Sequence, residues 1–392
     1  MEEIRLGIVG MGNMGFAHAK CIYRREIIGL RLTAVCDIQK ERLEQCSTEL
    51  SGVKCYKNFC DMLDGSLVDA VLIATPHPHH SEMAIAAFQK GLHVLVEKPA
   101  DIMVSKARRM NEVAKASGKK FGIMFNQRTY PLHEKARELV QNGTLGELKR
   151  SMWIITNWYR TQHYYESGGW RATWGGEGGG VLLNQAPHNL DVWQWICGMP
   201  VSVRATCNVA KYHQIEVEDE ATLFVRYENG ATGVFVTSTG ELPGTNRLEI
   251  VGTKGKIVLE QGVLKHWRLP EDERSICFYS NDSYVQCESV YEEYMCDNED
   301  MAHKGILQNF VNSILYGEEL IAPGSDGIKE LMLSNAAYLS SWKDGVEIAL
   351  PIDEKEFEQR ISELRAESVY YKEQKYEKLP DGEYSHSWQV RW

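Results

Sequence analysis

Over the first 125 residues, short apolar runs alternate with stretches in which apolar positions return every three or four residues. Ile4 to Val9 is an apolar run closed by Gly10, and Phe16 to Tyr23 follows with helical spacing. Leu30 to Cys36 is a second run that stops at Asp37, with a helical stretch from Lys40 to Leu50 behind it. Val68 to Ala74 is a third, followed by a helix from Ser81 that stops at Gly91. Leu92 to Val96 predicts a strand, Ser105 to Ser117 a helix ended by Gly118, and Lys120 to Phe125 a further strand. Near-continuous apolar strands separated by helices imply a parallel sheet covered on both faces. Residues 1–125 are thus expected to form a doubly wound α/β domain.

The pattern then changes. Leu132 to Asn142 has helical spacing and ends at Gly143; from there strand-like runs dominate. These are Met152–Trp158, Val201–Val209, Ala221–Tyr227, Ala231–Thr237, Arg247–Val251 and Lys256–Leu259. Glu228-Asn229-Gly230 and Thr253-Lys254-Gly255 are hairpin signals between successive runs, so this sheet is expected to be antiparallel. Helices are predicted over His303–Tyr316 and Ser325–Lys343, with one more beyond Asp353. Residues 126–369 read as a second, α+β domain and 370–392 as a polar tail; no internal repeat is visible.

Composition narrows the function classes. The 392 residues leave room for two or three domains at about 150 residues each. Hydrophobic residues make up 43% and charged ones 25%, ordinary values for a globular protein. A net charge of −11 argues against nucleic acid and anionic membranes as partners. No apolar stretch nears the roughly 18–20 residues of a membrane span. The opening Met1-Glu2-Glu3-Ile4-Arg5 lacks the layout of a secretory signal. Ten cysteines include no C-x-x-C pair, and several lie in apolar runs where Cys behaves as a small hydrophobe. A reduced, cytoplasmic protein is expected.

The first chemical motif is Gly10-Met11-Gly12-Asn13-Met14-Gly15, which fits G-x-G-x-x-G. Its context is the one the motif needs: a strand before, a helix after, and Asp37 ending the second strand. Gly10 permits a tight turn, Gly12 a close backbone approach to a pyrophosphate, and Gly15 helix-on-sheet packing. The diphosphate would rest on the helix N-terminus. Asp37 would accept from a ribose and repel a 2′-phosphate, which favours NAD over NADP. A glycine-rich turn with no nucleotide is the plainer alternative.

Two further segments carry a resemblance: Glu97-Lys98-Pro99 at a strand end, and Gly178-Gly179-Gly180-Val181-Leu182-Leu183-Asn184-Gln185-Ala186-Pro187-His188-Asn189-Leu190-Asp191. Together they resemble the glucose–fructose oxidoreductase, inositol dehydrogenase and rhizopine-catabolism (Gfo/Idh/MocA) family. Ala74-Thr75-Pro76 with His80, Asn126-Gln127-Arg128 and Trp170-Arg171 also look like that family's landmarks. The likeness runs from residue 4 to about 352. It implies a Rossmann domain followed by an α/β domain with a large, mostly antiparallel sheet, and often a homodimer or homotetramer through the open sheet face. It implies hydride transfer between NAD and a secondary hydroxyl of a sugar, glycoside or cyclitol, with carbon 3 of a hexopyranoside one candidate position. The catalytic lysine falls on Lys98 and the histidine on His188. Cofactor contacts fall on Gly10, Gly12, Asn13, Met14, Gly15, Asp37, Thr75, Pro76, His77, His80, Glu97, Lys98, Asn126 and Arg171. Asn184 is a departure, because many relatives carry Asp there.

The chemistry of these residue types agrees. A histidine suits proton removal from a carbinol near neutral pH, and Pro187 reads as a first helical residue. That places His188 in the opening turn, where the dipole disfavours an imidazolium. Lys98 offers a compact charge to hold the hydroxyl and stabilise a developing alkoxide, while Glu97 is expected to orient the ribose or the lysine, and Pro99 to fix the turn through a cis bond. Asn184 can bond a sugar hydroxyl but supplies no charge, and Asp191, three residues past His188, can face the same helix side. Between Trp158 and Trp174, aromatics mixed with hydrogen-bonding groups suit a pyranose. Arg160, His163, Tyr165 and Trp174 are the candidate contacts, and Gly168-Gly169 and Gly175-Gly176 mark this stretch as a candidate lid; core packing is the alternative for each aromatic. His77-Pro78-His79-His80 invites a metal reading, but its proline and its place in the cofactor loop argue against one. Two rival functions use the same residues: a glycosidase or lyase that recycles its NAD through a transient keto-sugar, and a non-catalytic sugar and NAD sensor.

Overall fold

The computed structural model describes residues 3–296, 301–368 and Tyr384. Its first sheet has six strands: β1 (Ile4–Val9), β2 (Leu30–Cys36), β3 (Lys54–Tyr56), β4 (Ala70–Ile73), β5 (His93–Val96) and β6 (Phe121–Ile123). They lie in the order β3-β2-β1-β4-β5-β6 and every pairing is parallel. This is the dinucleotide-binding order, with its crevice at the carboxyl ends of the strands. β4 is buried along its whole length, as a strand covered on both faces must be. The five apolar runs read from the sequence all become strands here. β3 escaped that reading because Lys-Cys-Tyr, three residues on a half-exposed edge, makes no apolar run. The short helix Phe59–Asp64 escaped it too.

The second sheet has nine strands: β7 (Leu148–Ile155), β8 (Ser202–Val209), β9 (Glu218–Arg226), β10 (Thr232–Ser238), β11 (Asn246–Gly252), β12 (Gly255–Glu260), β13 (Val263–Arg268), β14 (Val290–Met295) and β15 (Ile348–Ala349). Their order is β14-β13-β12-β11-β7-β10-β9-β8-β15. All pairs are antiparallel except β7 with β10. Ala221, Leu223 and Val225 of β9 point inward, while Phe224 between them is exposed. The inner face packs on helix Gly327–Trp342, which also meets helix Pro187–Cys197. β7 begins four residues before the expected Met152 because Lys149, Arg150 and Ser151 hide its start; β13, β14 and β15 are too polar or too short to stand out. A helix beyond Asp353 is present as Glu354–Glu367. The tail from residue 370 lies outside the described residues apart from Tyr384. Among the described residues, no helix is long and apolar enough to cross a membrane.

Candidate active site

Gly10 leaves β1 with φ of +88°, and a Cβ there would stand 2.5 Å from the Ala74 carbonyl oxygen. At Gly15 a Cβ would meet the Gly10 carbonyl oxygen at 1.9 Å. These two glycines let helix Asn13–Tyr23 settle onto the strand ends. At Gly12 a Cβ would touch only the Arg42 guanidinium, at 3.6 Å, so this backbone is open to an approaching group. The helix after Gly12 has no side-chain cap and no acid in its first turn. Uncapped N–H groups at a positive dipole end suit a diphosphate. Just past β2, Asp37 accepts from the Met11 N–H at 2.7 Å and the Gln39 N–H at 2.8 Å. Arg42 lies 3.4 Å from the same carboxylate, a cation the motif alone does not reveal. Asn126 follows β6 with its side-chain Oδ1 buried and unpartnered, an acceptor left for a bound group. These residues fit a dinucleotide.

Thr75 and Pro76 follow β4 and remain half-buried beside Gly10. His80 is a correction. It is fully buried, with Nδ1 2.7 Å from the Pro99 carbonyl and Nε2 2.7 Å from the Thr75 carbonyl. With both nitrogens turned to backbone oxygens it braces two loops and has nothing left for a cofactor. His77 is buried as well; its Nδ1 lies 3.2 Å from the Glu177 carbonyl and its ring meets Trp170 edge-on. Glu97 places Oε1 2.8 Å from His18 Nε2 and accepts from the Lys98 N–H at 3.2 Å. Burial opposes its charge, but the His18 contact outweighs that and holds the carboxyl down at about 2. The Lys98–Pro99 bond is cis. Among the described residues, no group of three or more His, Cys, Asp or Glu is placed to hold a metal.

The second glycine turn is built differently. A Cβ on Gly180 would fall 1.9 Å from the Glu218 carbonyl oxygen, so β9 passes directly beneath the turn. The Glu218 carboxylate, itself buried, accepts from the Gly180 N–H at 3.0 Å, the Leu182 N–H at 2.9 Å and the Tyr338 hydroxyl at 2.7 Å. Burial pushes this carboxyl up to about 7. Glu218 and Tyr338 were not legible in the sequence: one opens a strand, the other sits mid-helix, and nothing local marks either as a partner of the turn. From the turn the chain enters helix Pro187–Cys197 with Pro187 first, as expected.

Lys98 from the first sheet reaches across to this segment, and its Nζ donates to the Asn184 carbonyl oxygen at 2.6 Å. Burial lowers the lysine's pKa, against the opposing pull of Glu97, Glu177 and Glu330. His188, four residues beyond Asn184, is held well below 6.5 by burial and then by the Lys98 charge. Its Nδ1 is buried without a partner. The Asn184 amide donates to the buried Glu177 carboxylate, another residue the sequence reading passed over.

Three expected substrate contacts are corrected. Asp191 is fully buried and gives both oxygens to Arg128, at 2.6 and 2.8 Å; Arg128 also reaches Asp326 at 2.8 Å. Arg128 thereby clamps three elements together, and Asp191 Oδ1 also accepts from the Gln194 amide at 3.0 Å, so this buried carboxylate faces protein donors. Tyr165 is buried with its hydroxyl 2.7 Å from Thr239 Oγ1 and its ring against His213. Trp174 packs among Tyr338 and Trp342. Both are core, because each polar tip or ring edge already has a protein partner. Arg160 and Arg171 lie over the Tyr164 ring at 5.0 and 4.6 Å. Arg171 also donates to the Tyr164 hydroxyl at 2.6 Å. His163 is exposed and joins none of these contacts.

The sheet order and the diphosphate cradle define a dinucleotide-binding domain, and the family match makes the chain an NAD-binding oxidoreductase. More narrowly, the chain belongs to the Gfo/Idh/MocA family. Residues 4–125 match the oxidoreductase family with an NAD-binding Rossmann fold, and residues 133–258 match the GFO/IDH/MocA C-terminal domain. Myo-inositol 2-dehydrogenase of Thermotoga maritima is 27% identical over 345 residues, 86% of this chain and 96% of that protein. The NAD(+)-dependent scyllo-inositol 2-dehydrogenase of Bacillus subtilis is 24% identical over 356 residues, 90% of this chain and 97% of that one. Among solved structures, the WlbA dehydrogenase of Bordetella pertussis in complex with NADH and UDP-GlcNAcA superposes with a TM-score of 0.75 at 26% identity. That match covers 90% of this chain and all of the other.

Proposed function

We propose that the protein oxidises a secondary hydroxyl of a sugar, glycoside or cyclitol, with Lys98 and His188 acting on the reacting oxygen. The observation that carries this reading is the Lys98 Nζ contact to the Asn184 carbonyl, four residues before His188. It ties the strand end that faces the cofactor crevice to the turn that carries the histidine. The inositol dehydrogenases and the UDP-GlcNAcA complex among its relatives support a polyhydroxylated six-membered ring as substrate. The same reading divides the chain near residue 126 into a cofactor half and a substrate half.

NAD, when bound, supplies the hydride acceptor. Lys98 Nζ donates to the substrate hydroxyl and offsets negative charge as it develops on that oxygen. His188 is kept neutral by burial and by the lysine's charge, so it is ready to take the proton. Because Nδ1 is enclosed, Nε2 is the nitrogen we assign to that transfer. Glu97 holds the Lys98 main chain through its N–H. Asp37 would accept from the adenosine ribose, and the Gly10–Gly15 turn would seat the diphosphate.

The test is to incubate the protein with NAD⁺ and a panel of cyclitols and glycosides, following nicotinamide absorbance and carbohydrate products together. Keto product with equimolar NADH supports the reading, and a 3-deoxy glycoside then shows whether carbon 3 is the oxidised position. Cleaved sugar with no NADH would make it an NAD-recycling lyase. Tight binding of NAD and sugar with no turnover would make it a sensor.

A further inference from the structure

The glycine turn carries a charge that the reaction scheme above leaves unused. Glu177 stands immediately before Gly178-Gly179-Gly180 and is 1% exposed. Its two carboxylate oxygens go different ways. One accepts from the Ala172 N–H at 2.6 Å, and the other accepts from the side-chain amide of Asn184. Ala172 has φ of +57°, a left-handed conformation that a residue with a Cβ keeps only when its surroundings impose it. The Glu177 main-chain carbonyl in turn faces His77 of the cofactor half. One acid therefore fixes the segment beside Arg171, the amide of Asn184 and a loop of the first sheet.

An amide has one donating and one accepting end. With its nitrogen committed to a carboxylate, Asn184 is left with Oδ1 as its free end, and Oδ1 makes no hydrogen bond to the described residues. The carbonyl of the same residue holds Lys98 Nζ. We propose, on the reading that Lys98 and His188 act on the substrate, that Glu177 is a positioning residue: it turns the Asn184 amide oxygen toward the substrate and supplies negative charge that keeps the Lys98 ammonium protonated. The groups facing Lys98 are Glu97 at its own strand end, Glu177 of the turn, Glu330 of helix Gly327–Trp342, Arg171, and the histidines His77, His188 and His303. Burial pushes the Glu177 carboxyl up, opposed by the Arg171 charge, the Ala172 N–H, the Asn184 amide and the Lys98 charge; it is the acid in that set joined to Lys98 through the residue that holds its nitrogen.

The test separates this role from simple packing. Lys98 is titrated directly in the protein by pH-dependent acetylation with acetic anhydride, read by mass spectrometry, and kcat/KM is followed on a substrate found by the panel. Glu177→Gln is expected to lower the Lys98 pKa by about one unit, to move the alkaline limb of kcat/KM down with it, and to leave NAD affinity within about twofold. The swapped pair, Glu177→Gln with Asn184→Asp, keeps one carboxylate and one amide in contact. It is expected to return the lysine's pKa to its original value and to recover about tenfold in kcat/KM over the single variant. An unchanged Lys98 pKa in Glu177→Gln, or a swap that folds and recovers neither quantity, overturns the proposal and leaves the reaction scheme standing. Undiminished turnover in Lys98→Met sinks the scheme, and the role of Glu177 in it.

Discussion

Two glycine turns lead into two helices in this protein, and they are held by opposite means. The turn Gly10–Gly15 is closed by backbone: Gly15 sits on the Gly10 carbonyl and Gly10 on the Ala74 carbonyl just past β4. No acid lies in the first turn of its helix, so the positive end stays available to a diphosphate. The turn Gly178–Gly180 is closed by carboxylates. Glu218 of β9 accepts two of its N–H groups and the Tyr338 hydroxyl, and Glu177 ties its far end to Asn184. The first turn gives its Met11 N–H to Asp37 but leaves the helix start uncapped, whereas the second gives the Gly180 and Leu182 N–H groups to one buried carboxylate. The lesson is that an uncapped helix start suits a binding cradle, whereas a turn whose donors are paired is held rigid.

On the proposed scheme, the largest effects should come beside the contact of Lys98 with Asn184. Lys98→Met and His188→Ala are each expected to cut kcat by about 10²- to 10⁴-fold, with NAD affinity, read by fluorescence titration, nearly unchanged. The pH profile of kcat/KM sharpens this. His188 must be unprotonated to act, and its pKa lies well below 6.5, so activity should persist below pH 6.5 and fall only as pH drops through that lowered value. Lys98 must be protonated, so the alkaline limb should lie below 10.5. An acid limb above pH 6.5 would remove His188 from the role of base.

Next in size are the long-range clamps. Arg128→Met strands the buried Asp191 carboxylate and should cost about 3–5 kcal/mol in denaturant unfolding. Glu218→Ala leaves three buried donors unpaired and should cost a similar amount, about 3–5 kcal/mol. Asp37→Ala is expected to weaken NAD by about tenfold and, with Arg42 left alone at that edge, to improve NADP binding; unchanged selectivity between the two would break the ribose assignment. The smallest effect belongs to Tyr165→Phe, which loses one hydroxyl contact to Thr239. It should cost about 1 kcal/mol of stability and leave KM within about twofold, where a sugar contact would raise it further.

The first half of the molecule was readable because each of its cues is local. An apolar run ending in glycine, a helix behind it and Asp37 at the next strand end are all set by neighbours within forty residues, and the parallel strand order follows from how such units wind. Lys98 and His188 were singled out through a resemblance in motif, and Pro187 marked the start of the helix that carries His188 by its own missing N–H. Aromatic density between Trp158 and Trp174 misled for the opposite reason. Whether Tyr165 and Trp174 face a ligand or the core depends on Thr239, Tyr338 and Trp342, which lie far along the chain. Asp191 has the right helical spacing to His188, yet Arg128 from 63 residues earlier claims both its oxygens.

By itself, the order of residues determined the long apolar strands, most helix starts, the nucleotide cradle and the identity of the ionisable groups, because those depend on backbone conformation and short-range spacing. Tertiary structure alone decided which acids stand where: Glu177 on Asn184, Glu218 under the glycines, Asp191 on Arg128. A buried carboxylate is tolerated only with donors around it, and those donors come from whichever strand or helix the fold happens to lay alongside.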